Sequence, residues 1–316
     1  MSFNDREMKI FSGSSNVGLA KKISEYLGVP LGNCQFSTFS DGEINIKVNE
    51  TVRGRHVFII QSTCGPVNEN LMELFIAIDA FKRASAKSIN AVIPYYGYAR
   101  QDRKARGRDP ITAKLVANLL TEAGLSRLLT IDLHSEQIQG FFDIPVDNLY
   151  SFPVFSDYIS NSFVCLEDCV VVSPDVGGVK RANKFATKLG IPLAILDKRR
   201  PKDNFVEIVN VIGDLRKVKT AIFFDDIIDT GRSLAEGASI IKSKGVEKIY
   251  CCATHGVLSG KAKELIQNSV IDGVFITDTI PHAELPDKFH VVSLAELLSE
   301  AISRVYNNES ISIMFE

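Results

Sequence analysis

No run of about 18 consecutive apolar residues occurs in the sequence, so nothing in it reads as a membrane-spanning helix. The six cysteines, Cys34, Cys64, Cys165, Cys169, Cys251 and Cys252, form no CxxC pair and no Cys/His cluster at zinc spacing, which leaves free, buried thiols as the expected state. Charge of one sign is missing too. The 36 Lys and Arg balance 38 Asp and Glu to a formal charge of −2, whereas a general nucleic-acid binder carries a strong positive excess. The opening MSFNDREMKIF lacks a basic region followed by an apolar segment and a small-residue cleavage site, so nothing suggests export and a cytoplasmic protein is expected. No low-complexity tract appears. What is present is a chain with 45% hydrophobic and 23% charged residues, the balance of a soluble globular protein. Its 316 residues are about twice the ~150 used as a prior for one domain, so two domains are expected.

Short β-rich apolar runs alternate with helical patterns throughout. MKIFSGS, HVFIIQS, INAVIPYY and LLTIDLH are interleaved with GLAKKISEYLG, NENLMELFIAIDAFKRAS and ITAKLVANLLTEAG. The rhythm resumes with CVVVSPD, PLAILD, TAIFFDD, KIYCCATHG and VFITD, with VKRANKFATKLG, RSLAEGASIIKSKG and KAKELIQNS between them and VSLAELLSEAISRVY at the end. Strands apolar on both faces that alternate with helices predict parallel sheets covered by helices, a doubly wound α/β architecture. A polar, Pro-containing stretch near FFDIPVDNLYSFP separates the halves, which places the boundary near Asp147, with domains 1–147 and 148–316. DGEINIKV alternates with period two and predicts an antiparallel flap. The residues after PLAILD read as a flexible polar loop.

Two segments concentrate cations: RQDRKARGR, with Arg100, Arg103, Lys104, Arg106 and Arg108, and DKRRPK, with Lys198, Arg199, Arg200 and Lys202. Such runs are ordinarily solvated faces, but two of them in an otherwise acidic chain suit a small polyanionic ligand. FFDDIIDTGRS does the opposite, placing Asp225, Asp226 and Asp229 in five positions between a strand and a helix. In open α/β sheets ligands collect beyond the carboxyl ends of strands, where helix N-termini present backbone N–H groups. A turn of Thr230, Gly231, Arg232 and Ser233 can wrap a phosphate, and Asp225 and Asp229 can accept from sugar hydroxyls or hold a metal through water. A helix cap accounts for one acid, not three.

That string resembles the phosphoribosyl diphosphate (PRPP) loop shared by type I phosphoribosyltransferases and ribose-phosphate diphosphokinases. RQDRKARGRDPITAKLVANLL, TIDLHSEQIQGFFDIPVDNLY, VVSPDVGGVKRA, LDKRRP and NNESISIMF resemble, in order, segments of the diphosphokinases alone, over essentially the whole chain. The resemblance implies two phosphoribosyltransferase-like (Rossmann-like) α/β domains with central parallel sheets flanked by helices, the extreme C-terminus packing back on the N-terminal domain. It implies transfer of the diphosphoryl group of ATP to ribose 5-phosphate, giving PRPP and AMP, with Mg2+ bridging the ATP phosphates. It gives Lys198 the main catalytic role and Arg200 contact with the transferred phosphates or the ribose. It gives His134 and Asp175 to the metal, Arg100 and Gln101 to ATP, and Phe39, Asp41, Gly42 and Glu43 to the adenine and ribose of a neighbouring subunit's ATP. The ribose 5-phosphate site then comprises Arg200, Asp225, Asp226, Asp229, Thr230, Gly231, Arg232 and Ser233. A homo-oligomer follows, a dimer at least and a hexamer in bacterial-type relatives, with no nucleic-acid or membrane partner. Thr51, Arg53, Ser310 and Ser312 match the family's regulatory anion site, where inorganic phosphate activates and ADP inhibits.

Two departures stand out. DTGRS puts Arg232 where the family commonly has glycine, and Glu136 follows His134 where a small residue is common. A catalytically silent regulatory homologue and a type I phosphoribosyltransferase that consumes PRPP stay open as alternatives.

Overall fold

The computed structural model describes residues 7–162, 166–202 and 205–315; for 198–202, 205–209 and 315 it describes the backbone alone. Two compact units divide the chain. One runs to Tyr150 and takes in Thr279–Pro281 and the segment from Ser293 onward, and the other is Ser151–Asp278 with His282–Val292.

The first unit opens with β1 (Met8–Ser12), α1 (Val17–Leu27), β2 (Cys34–Thr38) and β3 (Ile44–Val48). It continues through β4 (His56–Ile60), α2 (Val67–Arg83), β5 (Ser88–Ile93), α3 (Thr112–Ala123), β6 (Arg127–Ile131) and β7 (Val146–Leu149). Five strands form a parallel sheet in the order β1-β4-β5-β6-β7. One face is covered by the apolar sides of α2 and α3, with Leu74, Ile78, Phe81, Val116 and Leu120 buried against Val57, Ile59, Ala91 and Leu128. DGEINIKV contributes β3, which pairs antiparallel with β2 in a separate two-stranded sheet, as its period of two predicts. VDNL lies within the stretch read from sequence as a polar connection, yet it forms β7. Its pairing to β6 buries Asn148 and Leu149, a consequence of sheet contact that local polarity does not reveal.

The second unit contains α4 (Phe152–Ser162), β8 (Cys169–Ser173), α5 (Val179–Leu189), β9 (Leu193–Lys202), β10 (Phe205–Ile212) and β11 (Thr220–Ile228). It is completed by α6 (Arg232–Ser243), β12 (Lys248–Gly256), α7 (Ala262–Gln267), β13 (Gly273–Thr277) and β14 (Phe289–Val292). The chain then returns to the first unit as α8 (Ala295–Tyr306), whose Ser299 hydroxyl donates to Ile23 O of α1 at 3.4 Å. The sheet order is β10-β9-β8-β11-β12-β13-β14, parallel except at β10. Adjacent phenylalanines of β11 serve its two faces, as alternation along a strand requires. Phe223 packs with Ala238 and Ile241 of α6, while Phe224 stacks on Phe185 of α5 at 4.3 Å and meets Phe155 of α4 edge-on at 5.9 Å.

The basic stretch after Asp197 corrects the expectation of a flexible loop: it continues β9 to Lys202 and pairs antiparallel with β10. The sequence FVEIVNVI is rich in β-branched residues. At the sheet edge an antiparallel partner satisfies the backbone of a polar strand.

Candidate active site

Both β9 and β11 flank β8, so the strand order reverses between β8 and β11 and a crevice opens at their carboxyl ends. Pairing of β11 to β8 stops at Phe223 opposite Val172, whereas pairing to β12 runs on to Ile228 opposite Gly256. Asp225 and Asp226 therefore stand in a stretch paired to β12 beyond the last residues paired to β8, beside the loop Pro174–Gly178 that leaves β8.

Arg181, in the first turn of α5, meets both acids. Its Nη1 donates to Asp225 Oδ1 at 2.9 Å and to Asp226 Oδ1 at 2.8 Å. Asp225 Oδ1 also accepts the Asp226 N–H at 2.9 Å. The Asp226 side chain is 5% exposed and that of Asp225 28% exposed. Burial, then the neighbouring Asp226 charge, pushes the Asp225 carboxyl well above the usual carboxylate range, against the opposing pull of Arg181. Asp175, exposed on the loop after β8, accepts the Gly178 N–H through Oδ1 at 2.8 Å.

The turn itself is clamped from the segment after β12. Leu258 N–H donates to Ile228 O at 3.0 Å, Ser259 N–H to Asp229 O at 3.1 Å, and the Ser259 hydroxyl to Asp229 Oδ1. Gly231 has φ +73°, and a Cβ there would meet the Ile266 side chain at 3.0 Å, so conformation and space both call for glycine. The first bond of the α6 ladder runs from Ala235 N–H to Gly231 O at 2.9 Å, so the amides of 232–234 precede it, where an anion is received. The exposed Arg232 side chain lines a cleft of about 670 Å³ between α6 and α7, with Thr230, Glu236, Ser259, Lys261 and Glu264. The departure from glycine thus loads the outer wall of the turn. Ser233 is exposed beside it.

Lys198 and Arg200 lie on β9, and their side chains are outside the described residues. Pairing of β9 to β8 ends at Ile195 opposite Ser173, so the strand carries the backbone of Lys198 about 10 Å further, past the carboxyl end of β8.

In the first unit, Phe39, Asp41, Gly42 and Glu43 make the turn between β2 and β3. The Phe39 and Glu43 backbones bond at 2.8 Å, Asp41 Oδ1 accepts the Glu43 N–H at 3.1 Å, and the Phe39 ring is 56% exposed. Gln101 anchors α3, accepting the Thr112 hydroxyl at 2.5 Å and the Ala113 N–H at 3.1 Å; Arg100 beside it is exposed. His134 is exposed after β6, where Leu133 N–H donates to Asn148 Oδ1 at 3.0 Å. Glu136 accepts the Tyr150 hydroxyl at 3.1 Å, which ties the unexpected carboxylate to the sheet edge. Thr51, Arg53, Ser310 and Ser312 are all exposed. The His56 ring meets that of Tyr306 at 5.8 Å, which sets the turn before β4 beside the end of α8.

Sequence reasoning missed Arg181 and Ser259. A signal for Arg181 existed, because it stands four residues before Phe185 and so shares the sheet-facing side of α5, where a cation needs a partner. Ser259 carried none, since its contact is made 30 residues away from Asp229.

Fold and site together define a class: α/β proteins whose ligand crevice opens at a switch point and joins clustered carboxylates to a glycine turn at a helix N-terminus. Residues 8–124 match the family model of the N-terminal domain of ribose phosphate pyrophosphokinase, and residues 198–316 that of the phosphoribosyl synthetase-associated domain. The chain belongs to the ribose-phosphate pyrophosphokinase family. It is 64% identical over 315 residues to the ribose-phosphate pyrophosphokinase of Thermosipho africanus, covering 100% of this chain and 99% of the relative. The Thermotoga maritima relative of the same name is 60% identical over 316 residues, with both chains covered at 100%. The crystal structure of phosphoribosylpyrophosphate synthetase from Mycobacterium smegmatis superposes with a TM-score of 0.89 at 40% identity, covering 96% of this chain and 100% of that one.

Proposed function

We infer that the protein transfers the β,γ-diphosphoryl group of ATP to the C1 hydroxyl of ribose 5-phosphate, giving PRPP and AMP. The observation that carries this reading is the switch-point crevice, where an acid pair and an N-terminal glycine turn stand side by side on a chain that matches its family from end to end. The turn from Thr230 to Ser233 receives the 5-phosphate on backbone amides and hydroxyls, while Asp225, Asp226 and Asp229 accept from the sugar's hydroxyls.

In this transfer the sugar oxygen attacks the β-phosphorus and negative charge moves to the oxygen leaving with AMP, so cationic stabilisation and alignment supply most of the acceleration. Lys198 and Arg200 are assigned to that charge; their place on a strand extending past β8 supports the assignment. In the first unit, Arg100 and Gln101 are assigned to the ATP phosphates, and the exposed Phe39 turn, with Asp41, Gly42 and Glu43, to the nucleoside of a neighbouring subunit's ATP.

Among the described residues no group of three or more His, Cys, Asp and Glu is gathered. A single exposed carboxylate, Asp175, suits an ion that keeps waters and binds phosphates, the habit of Mg2+. Asp175, with His134 as the weaker candidate, would hold it, and when bound it supplies charge neutralisation across the ATP phosphates.

The same reading makes the working molecule a homo-oligomer, at least a dimer and by family resemblance a hexamer, in the cytoplasm. Among the described residues no helix is long and apolar enough to cross a membrane. Thr51, Arg53, Ser310 and Ser312 are proposed as an anion site through which phosphate activates and ADP inhibits.

AMP release from ATP and Mg2+, with and without ribose 5-phosphate and at several phosphate concentrations, tests the reading. AMP formed only with the sugar is the expected result; none under any condition would favour a silent regulatory homologue. Lys198→Ala should lower kcat by orders of magnitude with the KM for ATP nearly unchanged, and an equal loss of binding and rate would make Lys198 a residue of uniform binding instead.

A further inference from the structure

We propose that Arg232 and Lys261 form a cationic rim outside the glycine turn that draws a dianionic sugar phosphate into it, with Glu236 and Glu264 limiting that attraction. The inference rests on the sugar-phosphate reading given above and adds Lys261, the N-cap of α7, as a residue that sets its affinity.

Contacts of their neighbours fix both cations beside the turn. Arg232 directly follows Gly231 and opens α6. Lys261 stands between Ser259, whose N–H donates to Asp229 O at 3.1 Å, and Ala262, whose carbonyl oxygen would lie 3.6 Å from a Cβ on Gly231. The two side chains are exposed and line one cleft of about 670 Å³. Among the described residues neither makes an ion pair or a side-chain hydrogen bond, so their charge is not spent inside the protein.

Helix packing orders the charge along that cleft. Ala238 and Ile241 of α6 share a core cluster with Ala262 and Ile266 of α7, so both helices cover one face of the sheet. They follow the neighbouring parallel strands β11 and β12 and therefore run side by side, away from the turn. The cations come first. Glu236, four residues after Arg232, and Glu264, three after Lys261, come about 5 Å further along the helix axes at about 1.5 Å per residue. A dianion at the amides of 232–234 thus has the two positive charges nearer than the two negative ones, and the balance is attractive. Helix stability does not account for this order. A helix N-terminus favours acids, yet α6 begins with Arg232 and has no acid in its first turn. Lys261 makes no cap bond at a position that prefers a side-chain acceptor. Each cation stands where it weakens its own helix, and its use lies with a ligand.

The test reads kcat and KM for ribose 5-phosphate and ATP in wild type, Lys261→Gln, Lys261→Glu, Lys261→Arg, Arg232→Gln and Glu264→Gln, with melting temperature as a check on folding. Each is measured at about 0.1 M and about 1 M KCl, where the screening length is about 10 Å and about 3 Å. At the lower salt Lys261→Gln should raise the ribose 5-phosphate KM about threefold and Lys261→Glu about tenfold, with kcat and the ATP KM within about twofold. Arg232→Gln should raise the same KM at least as much as Lys261→Gln. Lys261→Arg should match wild type, because charge alone is required, and Glu264→Gln should lower the KM about twofold. At the higher salt all should converge on wild type to within about twofold. Lysine variants equal to wild type at the lower salt, an increase of the same size at both salts, or a KM raised by Glu264→Gln would each overturn the proposal. If Lys261→Glu does not fold, Lys261→Gln decides by the same criteria. If wild type releases no AMP, the functional reading fails separately. Equilibrium dialysis of labelled ribose 5-phosphate at the two salts then decides the inference, with no retention by wild type, or equal retention by wild type and Lys261→Gln at the lower salt, as the overturning result.

Discussion

The turn after β1 and the turn after β11 occupy equivalent places, each joining the carboxyl end of a parallel strand to a helix, yet their acids do opposite jobs. After β1, the carboxylate comes from outside the turn. Glu73 of α2, only 7% exposed, accepts the Ser14 N–H at 2.6 Å, the Ser14 hydroxyl at 2.7 Å and Gln61 Nε2 at 2.7 Å. Gln61 in turn accepts the Ser15 N–H at 3.1 Å and its hydroxyl at 2.7 Å. The protein thus fills this turn with an internal anion, and the donors of Ser14 and Ser15, just before the N-cap Asn16, are spent on Glu73 and Gln61. After β11 the acids belong to the strand and share one cation, with Asp226 buried and the Asp225 side chain 28% exposed. An acid whose partners are all internal stabilises the fold; an acid with part of its side chain exposed beyond the last residues paired to β8, as Asp225 is, stands where the proposed function places a ligand.

Substitutions at the two turns should separate along this line. The largest effect is expected from Glu73→Ala, which takes the acceptor from the Ser14 N–H and hydroxyl and from the buried Gln61 amide. Unfolding free energy should fall by about 3 kcal/mol, read from the urea midpoint, with turnover per folded molecule retained. Loss of activity without loss of stability would show the first turn to be a ligand site after all. Next comes Asp225→Asn, expected to lower kcat/KM for ribose 5-phosphate about a hundredfold while leaving the urea midpoint unchanged or raised, since a like-charge contact is relieved. A large drop in stability there would make the acid pair structural.

Gly231→Ala sharpens the comparison further. A side chain at φ +73° pressed against Ile266 should cost about 1–2 kcal/mol and also raise the ribose 5-phosphate KM, because the strain lies within the turn itself. The smallest effect is expected from Ser259→Ala, which frees Asp229 from its hydroxyl donor. A three- to tenfold rise in the same KM, with stability within about 1 kcal/mol, would match the loss of one exposed hydrogen bond.

Much of this was legible from local pattern. Alternation of apolar runs with 3.6-residue periods announced the α/β architecture, the period of two in DGEINIKV announced a hairpin, and the acids followed by Thr-Gly marked the crevice. These signals are carried by neighbours in sequence, where strand and helix periodicity and the φ freedom of Gly231 operate. The ribbon after Asp197 was misjudged because its charge outweighed the β-branched FVEIVNVI that pairs with it. Tertiary structure alone decided that VDNL forms a fifth strand, that the return to the first unit begins as early as Ser293 and takes in all of α8, and that Glu136 is held by Tyr150. It also decided that Arg181 reaches across 44 residues to Asp225 and 45 to Asp226. The physical reason is common to all four: a local period specifies which face of an element is apolar, whereas a buried charge or a polar strand is specified only by the partner that folding brings to it.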